Sequence, residues 1–231
     1  MVKKNVLKPW RKAMWCIGSL TAEYRERMHA LCDLYGQAHN PAEPVVCVDE
    51  KSKQVVRASR PELAARPGQC AKQDYEYVRG GTRNIFMAVE PSGGHRETAV
   101  TARRTKADFV HFVCGLLSGT YQHVAKLHLV LDNLNTHFRR SFEEVLGARA
   151  DAVLARVEFH HTPKHASWLN LAEQELGVME RQCTGRRFTH PTELDTELRA
   201  WQRKRNADKI TLNWSFTRDA ADRKLGRHYV M

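Results

Sequence analysis

The sequence predicts a mixed α/β domain in which strands first meander and then alternate with helices. Three observations predict it. Val45-Val46-Cys47-Val48 and Leu127 to Leu131 are short unbroken apolar runs, as expected of central strands buried on both faces. Between them, strand-like segments are punctuated by Gly80-Gly81 and by Pro91-Ser92-Gly93-Gly94, the composition of turns. Beyond them, a short strand is followed by apolar residues at helical spacing.

Residues 1 to 40 read as a basic leading segment and then a helix. Leu20, Tyr24, Met28, Leu31 and Leu34 recur on one helical face, and Pro41 and Pro44 end the stretch. The strand from Val45 runs straight into Asp49. Tyr75 to Arg79 and Asn84 to Glu90 are predicted as two strands with a turn at Gly80-Gly81, and Arg96 to Thr101 as another. Lys106 to Leu117 is a helix by the spacing of Phe109, Phe112, Val113, Leu116 and Leu117. The second apolar strand, Leu127 to Leu131, runs into Asp132, and a short helix near Ser141 to Leu146 follows. After the strand at Val157-Glu158-Phe159-His160 and a loop at Pro163, a helix starts near Trp168 with Ser167 as its expected cap. Pro191 opens another helix, with Leu194, Leu198 and Trp201 on one face, and a basic tail ends the chain.

Composition excludes several function classes. No apolar run approaches the ~20 residues that span a bilayer, and the basic N-terminus lacks the apolar core of a secretory signal. The six cysteines are scattered, with no Cys-x-x-Cys pair, which argues against a zinc module or a disulfide scaffold and fits a reducing cytoplasm. A formal net charge of +11 points to a polyanionic partner, nucleic acid above all.

The carboxylates carry the chemistry. Two apolar strands each end in aspartate, and an ionised carboxylate beside a dry strand is costly unless paired or metal-bound. A third acid lies on the helix Leu169 to Cys183, whose core stripe is Leu169, Ala172, Leu176, Met179 and Cys183. Glu173 and Glu175 sit ~200° apart on opposite flanks of that stripe, so only one can face a given site. The bare Gly177, on the Glu173 flank, is expected to admit another backbone. Two carboxylates ~4 Å apart repel by ~4 kcal/mol at an effective dielectric of ~20, so a cluster of three needs cations. Oxygen ligands suit Mg²⁺ or Mn²⁺ rather than zinc. Two such ions ~3.5–4 Å apart can serve phosphodiester cleavage.

Three stretches, VVCVDEKSK (45 to 53), LHLVLDNLNTH (127 to 137) and HHTPKHASWLNLAEQEL (160 to 176), resemble the signature blocks of the bacterial insertion-sequence branch of the mariner-related transposases. QDYEYVRGGTRNIFMAVEPSGG (73 to 94) and, more loosely, WSFTRDAADRKL match as well. The resemblance implies a ribonuclease-H-like fold, a mixed sheet flanked by helices. It also implies a DDE endonuclease and strand transferase whose catalytic, metal-holding triad is Asp49, Asp132 and Glu173. Glu50 is left out, because strand alternation points it to the other face. The implied partners are the element's terminal inverted repeats and a target DNA at TA, bound by a homodimer in the bacterial cytoplasm without any membrane role. The expected division is a linker and helix over 1–40, a catalytic domain over 41–188, and a C-terminal helix and basic tail over 189–231. Family members also carry helix-turn-helix domains ahead of the catalytic part, which this chain starts too late to hold. The alternative is therefore an inactive or truncated fragment that only binds DNA.

Lys164, His165 and His137 are candidate DNA contacts beside the triad, and Arg181, Arg186 and Arg187 are candidate backbone contacts, as is the run Arg203-Lys204-Arg205. Pro163 breaks the helical geometry that His161 and His165 would need to share a zinc ion, so a loop is expected there. Trp168 is expected to anchor the start of its helix, and Glu175→Ala to leave activity intact.

Overall fold

A computed structural model describes the protein over residues 20–61, 63–72 and 74–230. Strands β1 (Val45–Ala58), β2 (Tyr77–Glu90), β3 (His95–Thr101), β4 (Leu127–Leu131) and β5 (Val157–His161) form one sheet in the order β3-β2-β1-β4-β5. The first three are antiparallel, while β4 and β5 run parallel to β1. Helices α1 (Ala22–Gly36), α2 (Lys106–Ser118), α3 (Arg139–Leu146), α4 (Ala150–Leu154), α5 (Leu171–Met179), α6 (Pro191–Ala207) and α7 (Arg218–Leu225) flank it. This is the ribonuclease-H-like mixed α/β arrangement.

Both faces of the sheet are covered, which is why its central strands read as unbroken apolar runs. Val46, Val48, Phe86, Leu127, Leu129 and Leu131 pack on one face against α2, α3 and α4. Cys47, Val89 and Val130 point to the other face, beneath α1, α5 and α7. Ile85 and Met87 continue that second face beneath α5 and α6. The parallel connection from β1 to β4 aligns Cys47 with Val130, so residues two further along each strand emerge on the second face.

Three expectations need correction. Gly80-Gly81 makes no turn; β2 passes through it unbroken, opposite an irregularity in β1 between Gln54 and Val56. A Cβ at Gly80 would lie 3.2 Å from the Val55 carbonyl oxygen, and Gly81 holds φ +94°, so the pair permits a close strand approach rather than a reversal. The helix expected from Trp168 begins later. Ser167–Leu169 is a 3₁₀ turn, and Asn170 caps α5 by accepting the Ala172 amide at 3.1 Å. Finally, Arg205 of the C-terminal basic run faces inward, and Lys204 pairs with Asp208 at 2.8 Å.

The first and last described segments close on each other. The Leu20 amide donates to the His228 carbonyl at 2.9 Å, and Arg25 of α1 pairs with Asp222 of α7 at 2.7 Å. At the opposite margin α6 covers edge strand β3. Gln202 accepts from the Thr98 amide at 2.8 Å, and Asn206 accepts from the Arg96 amide at 2.8 Å. These side chains occupy groups that an edge strand otherwise offers to other chains.

Beneath this edge lies a buried ion cluster that fixes α5. Arg96 and Glu175 have fully buried side chains and meet at 2.9 Å, while Arg205 closes on the same carboxylate at 2.7 Å. Arg96 also donates to the Ile210 carbonyl, leaving its Nη2 as a buried atom without a partner. Opposite flanks for Glu173 and Glu175 are what the structure has: Glu173 is exposed and Glu175 buried.

Candidate active site

Asp49 lies within β1 and Asp132 just past the end of β4, each two residues beyond the aligned pair Cys47 and Val130. Alternation puts both on the second face, on neighbouring strands that lie ~4.8 Å apart. Glu173, in the first turn of α5, lies near enough for its charge to act on Asp49. The buried Asn170 amide group donates to the Val48 carbonyl at 2.9 Å, tying the start of α5 to β1 one residue before Asp49. Asp49 feels both of the other carboxylates. Burial, the largest cause, pushes Asp49 up to about 7, and the charges of Asp132, Glu50 and Glu173 push the same way against the hydrogen bond from the Glu50 amide.

A pH-dependent stability follows in the metal-free protein. A carboxyl raised from 3.8 to about 7 contributes stability that is fully present below pH 3.8 and lost as pH rises through 7. With partial solvent access the loss is ~2 kcal/mol. Asp49→Asn is therefore expected to raise the metal-free Tm by ~4–8 °C at pH 8 and by much less at pH 4. Thermal melts at the two pH values check this, and an equal shift at both would refute it.

Asp132 has the opposite balance. Burial acts to raise its pKa, but the His137 ring, the Leu134 amide and nearby histidine charge outweigh it, so the carboxyl lies below its ordinary value. His137 was expected to contact DNA. It has no exposed surface and cannot reach a strand from this position. Its Nδ1 lies 2.7 Å from Asp132 Oδ1 and its Nε2 3.2 Å from Glu50 Oε2, the latter too poorly aligned for a hydrogen bond. The ring packs on Phe109 with centroids 4.5 Å apart, and its carbonyl meets His161 Nε2 at 2.8 Å. Although burial would lower it, the two acids push His137 up to about 9, so it stays cationic at neutral pH. That stability is present below pH 6.5 and lost as pH rises through 9. His137→Ala is expected to cost ~2 kcal/mol or more at pH 7, with the gap to the parent narrowing by pH 10 to what the packing of the buried ring on Phe109 contributes. Urea denaturation across that range checks it.

Glu50 points to the other face, as alternation requires, and its side chain is 3 % exposed. Among the described residues no foreign backbone approaches Gly177; a Cβ there would meet only Arg181 Nη1, at 3.5 Å, so the expected close approach is not made by them. Trp168 is 40 % exposed and packs on Trp214 and Phe216.

Lys164 and His165 are exposed on the loop before α5, with His165 at φ 62°, a left-handed conformation. Arg181 is exposed as well. Arg186 is paired with Glu193 at 3.0 Å and Glu197 at 3.5 Å, which reduces the charge it can offer a phosphate. Arg187 donates to the Asp74 carbonyl at 2.8 Å and keeps its charge uncompensated by that bond. Both arginines line an open groove with Lys53, Arg57 and Arg60.

Sequence reasoning passed over Asn170, Lys51 and Lys53. Lys51 and Lys53 stand on the Asp49 side of β1 and pair with Glu180 at 3.0 and 3.7 Å. Their period of two from Asp49 was visible, as was Asn170 three residues before Glu173 at a helix start.

Residues 44–195 match the sequence family described as DDE superfamily endonuclease. No protein of curated function matches the chain. Among solved structures, the Mos1 mariner paired end complex with Mn aligns with a TM-score of 0.56 and 16% identity, over 94% of this chain and 66% of that one. The Mos1 strand transfer complex aligns with a TM-score of 0.57 and 15% identity, over 98% and 67%. The mariner Mos1 paired end complex with Mg gives 0.53 and 17%, over 96% and 67%. At such identities the likeness is one of fold, and the chain spans about two thirds of those proteins' length.

Proposed function

The chain belongs to the DDE endonuclease superfamily, and from that premise we propose that it is the catalytic part of a DNA transposase, with Asp49, Asp132 and Glu173 as its triad. One observation carries the reading: β1 and β4, in parallel register, bring two aspartates to one face where α5 adds a glutamate. The donor set fits hard divalent cations. It is all oxygen, and although burial raises Asp49 most, the charges of Asp132, Glu50 and Glu173 push it the same way, a repulsion that a cation would relieve.

Mg²⁺ or Mn²⁺, two ions in all, would supply Lewis-acid activation of a water or hydroxyl nucleophile and stabilise the leaving oxygen of a phosphodiester. The chain's own residues do the rest. His137 keeps Asp132 oriented and ionised, and the Leu134 amide, 3.0 Å from the same oxygen, fixes its rotamer. Asn170 sets the height of Glu173 against β1. Lys164, His165 and Arg181 offer donors to backbone phosphates around this centre, and the Arg57, Arg60, Arg187 groove extends the path. The reaction is hydrolysis at the ends of an element, followed by in-line attack of the freed 3′-hydroxyl on target DNA, TA by family likeness. The similar mariner structures are paired end complexes and a strand transfer complex, which favours DNA as the substrate here; a homodimer on paired ends belongs to the same proposal. Residues 41–188 form the catalytic unit in this reading. No helix among the described residues is long and apolar enough to cross a membrane.

Supercoiled plasmid incubated with the purified chain and Mn²⁺ should be nicked, and EDTA should stop it. DNA retention without any nicking would replace this reading with that of a DNA-binding fragment.

A further inference from the structure

We propose that the second face of the sheet carries a zinc site separate from the carboxylate triad, built from His128 on β4 and Glu158 and His160 on β5. His128 pairs with Glu158 across the strands and Val130 pairs with His160, so the three side chains share one face of the two parallel strands. His128 Nδ1 lies 3.0 Å from His160 Nε2. Glu158 Oε2 is 3.9 Å from His128 Nδ1, and Glu158 Oε1 is 3.7 Å from His160 Nε2. One ligand atom from each residue falls within 4.8 Å of the other two.

The geometry suits a tetrahedral ion. Ligand atoms at ~2.0–2.1 Å from zinc lie ~3.3–3.4 Å from one another, so the 3.0 Å separation of the two rings has to open slightly, and a single oxygen of the half-exposed Glu158, now within 4.8 Å of both ring nitrogens, has to close by up to ~1.5 Å through side-chain rotation. Two imidazoles and one carboxylate are a borderline donor set that favours Zn²⁺ over Mg²⁺. The two histidines are largely shielded, while Glu158 is half-exposed and leaves a fourth position open to solvent. Lys126, 3.6 Å from Glu158 Oε2, is the cation that zinc has to displace. His161 and His165, close along the chain, are not the ligands. The ligands meet across two strands, a pairing no local spacing displays.

Such an ion would clip the edge strand β5 to β4. The clip matters for the neighbouring centre, because Thr162 follows β5 directly and its carbonyl accepts from Asn133, the residue after Asp132, at 2.6 Å. The proposal does not depend on the triad. Its test therefore uses the untagged full chain carrying Asp49→Asn and Glu173→Gln, in excess Mg²⁺, with Co²⁺ as a spectroscopic stand-in for zinc.

One equivalent of Co²⁺ should give the visible bands of a tetrahedral nitrogen and oxygen site, bleached by Zn²⁺. Zn²⁺ at about a hundredfold over its Kd should raise Tm by ~5–10 °C. Glu158→Gln, a change at a half-exposed side chain that keeps the fold, should weaken binding at least tenfold, and His128→Ala and His160→Ala should abolish the bands. Unchanged affinity in Glu158→Gln, thiolate charge-transfer absorption that assigns the ion to cysteines, or no saturable binding would each overturn the site.

Discussion

Glu173→Gln is expected to cut strand cleavage by about a thousandfold or more while leaving the folded protein as stable as before. The amide is nearly isosteric, but it removes the charge that would hold a cation. Loss of several kcal/mol of electrostatic stabilisation in the transition state corresponds to a factor of ~10³ or beyond. Glu173 is exposed, in the first turn of α5, and makes no ion pair among the described residues, so nothing in the fold relies on its charge. Plasmid nicking with Mn²⁺, measured beside thermal melts of the same preparations, separates the two effects. A residual rate within tenfold of the parent would remove Glu173 from the triad. Asp132→Asn should lose as much activity, but with some stability, since its carboxylate also receives His137 and the Leu134 amide.

Glu175→Ala, two residues on, is expected to do the reverse. Its carboxylate is the shared acceptor for Arg96, fully buried, and Arg205, whose side chain is 13 % exposed. Truncation strands the Arg96 guanidinium, which already has one unpartnered nitrogen, against the Ile210 carbonyl alone. Breaking a buried pair by removing one partner costs ~3–5 kcal/mol, a large part of the ~5–15 kcal/mol that keeps a typical domain folded. A fall in Tm of ~8–15 °C follows at the usual conversion for a chain of this size. The sequence-based expectation that Glu175→Ala leaves activity intact therefore holds only for the molecules that stay folded, at low temperature. The double replacement Arg96→Met with Glu175→Leu should recover much of the loss, because it leaves only the partly exposed Arg205 without its partner. If Glu175→Ala melted with the parent, the cluster would carry no net stability.

The contrast between these two glutamates divides what the sequence determined from what the tertiary structure decided. Periodicity and strand composition were enough to predict β4 at its observed ends, the helix opened by Pro191 at its observed start, and the α/β class, because those signals are local: an apolar run buried on both faces looks the same wherever it sits. The flanks of α5 were legible too, from the turn angle alone. Gly80-Gly81 was misread because a glycine pair specifies permissive backbone, and only the neighbouring strand decides whether that freedom serves a turn or a close approach.

The candidate site was legible as residue types and illegible as contacts. Asp49 and Asp132 stood out as acids directly after apolar runs, although β1 continues past Asp49 to Ala58, and their meeting depends on the register of β1 against β4, which joins residues some eighty positions apart. His137 offered no local sign of burial, since Asn135, Thr136 and Arg139 around it are polar, Phe138 beside it is exposed, and the groups that enclose it, Glu50 and Phe109, come from distant elements. Hydrophobic pattern acts through the chain's own period and survives in one dimension. Charge pairing acts through space, with an energy set by distance and burial, and neither quantity exists until the sheet has closed.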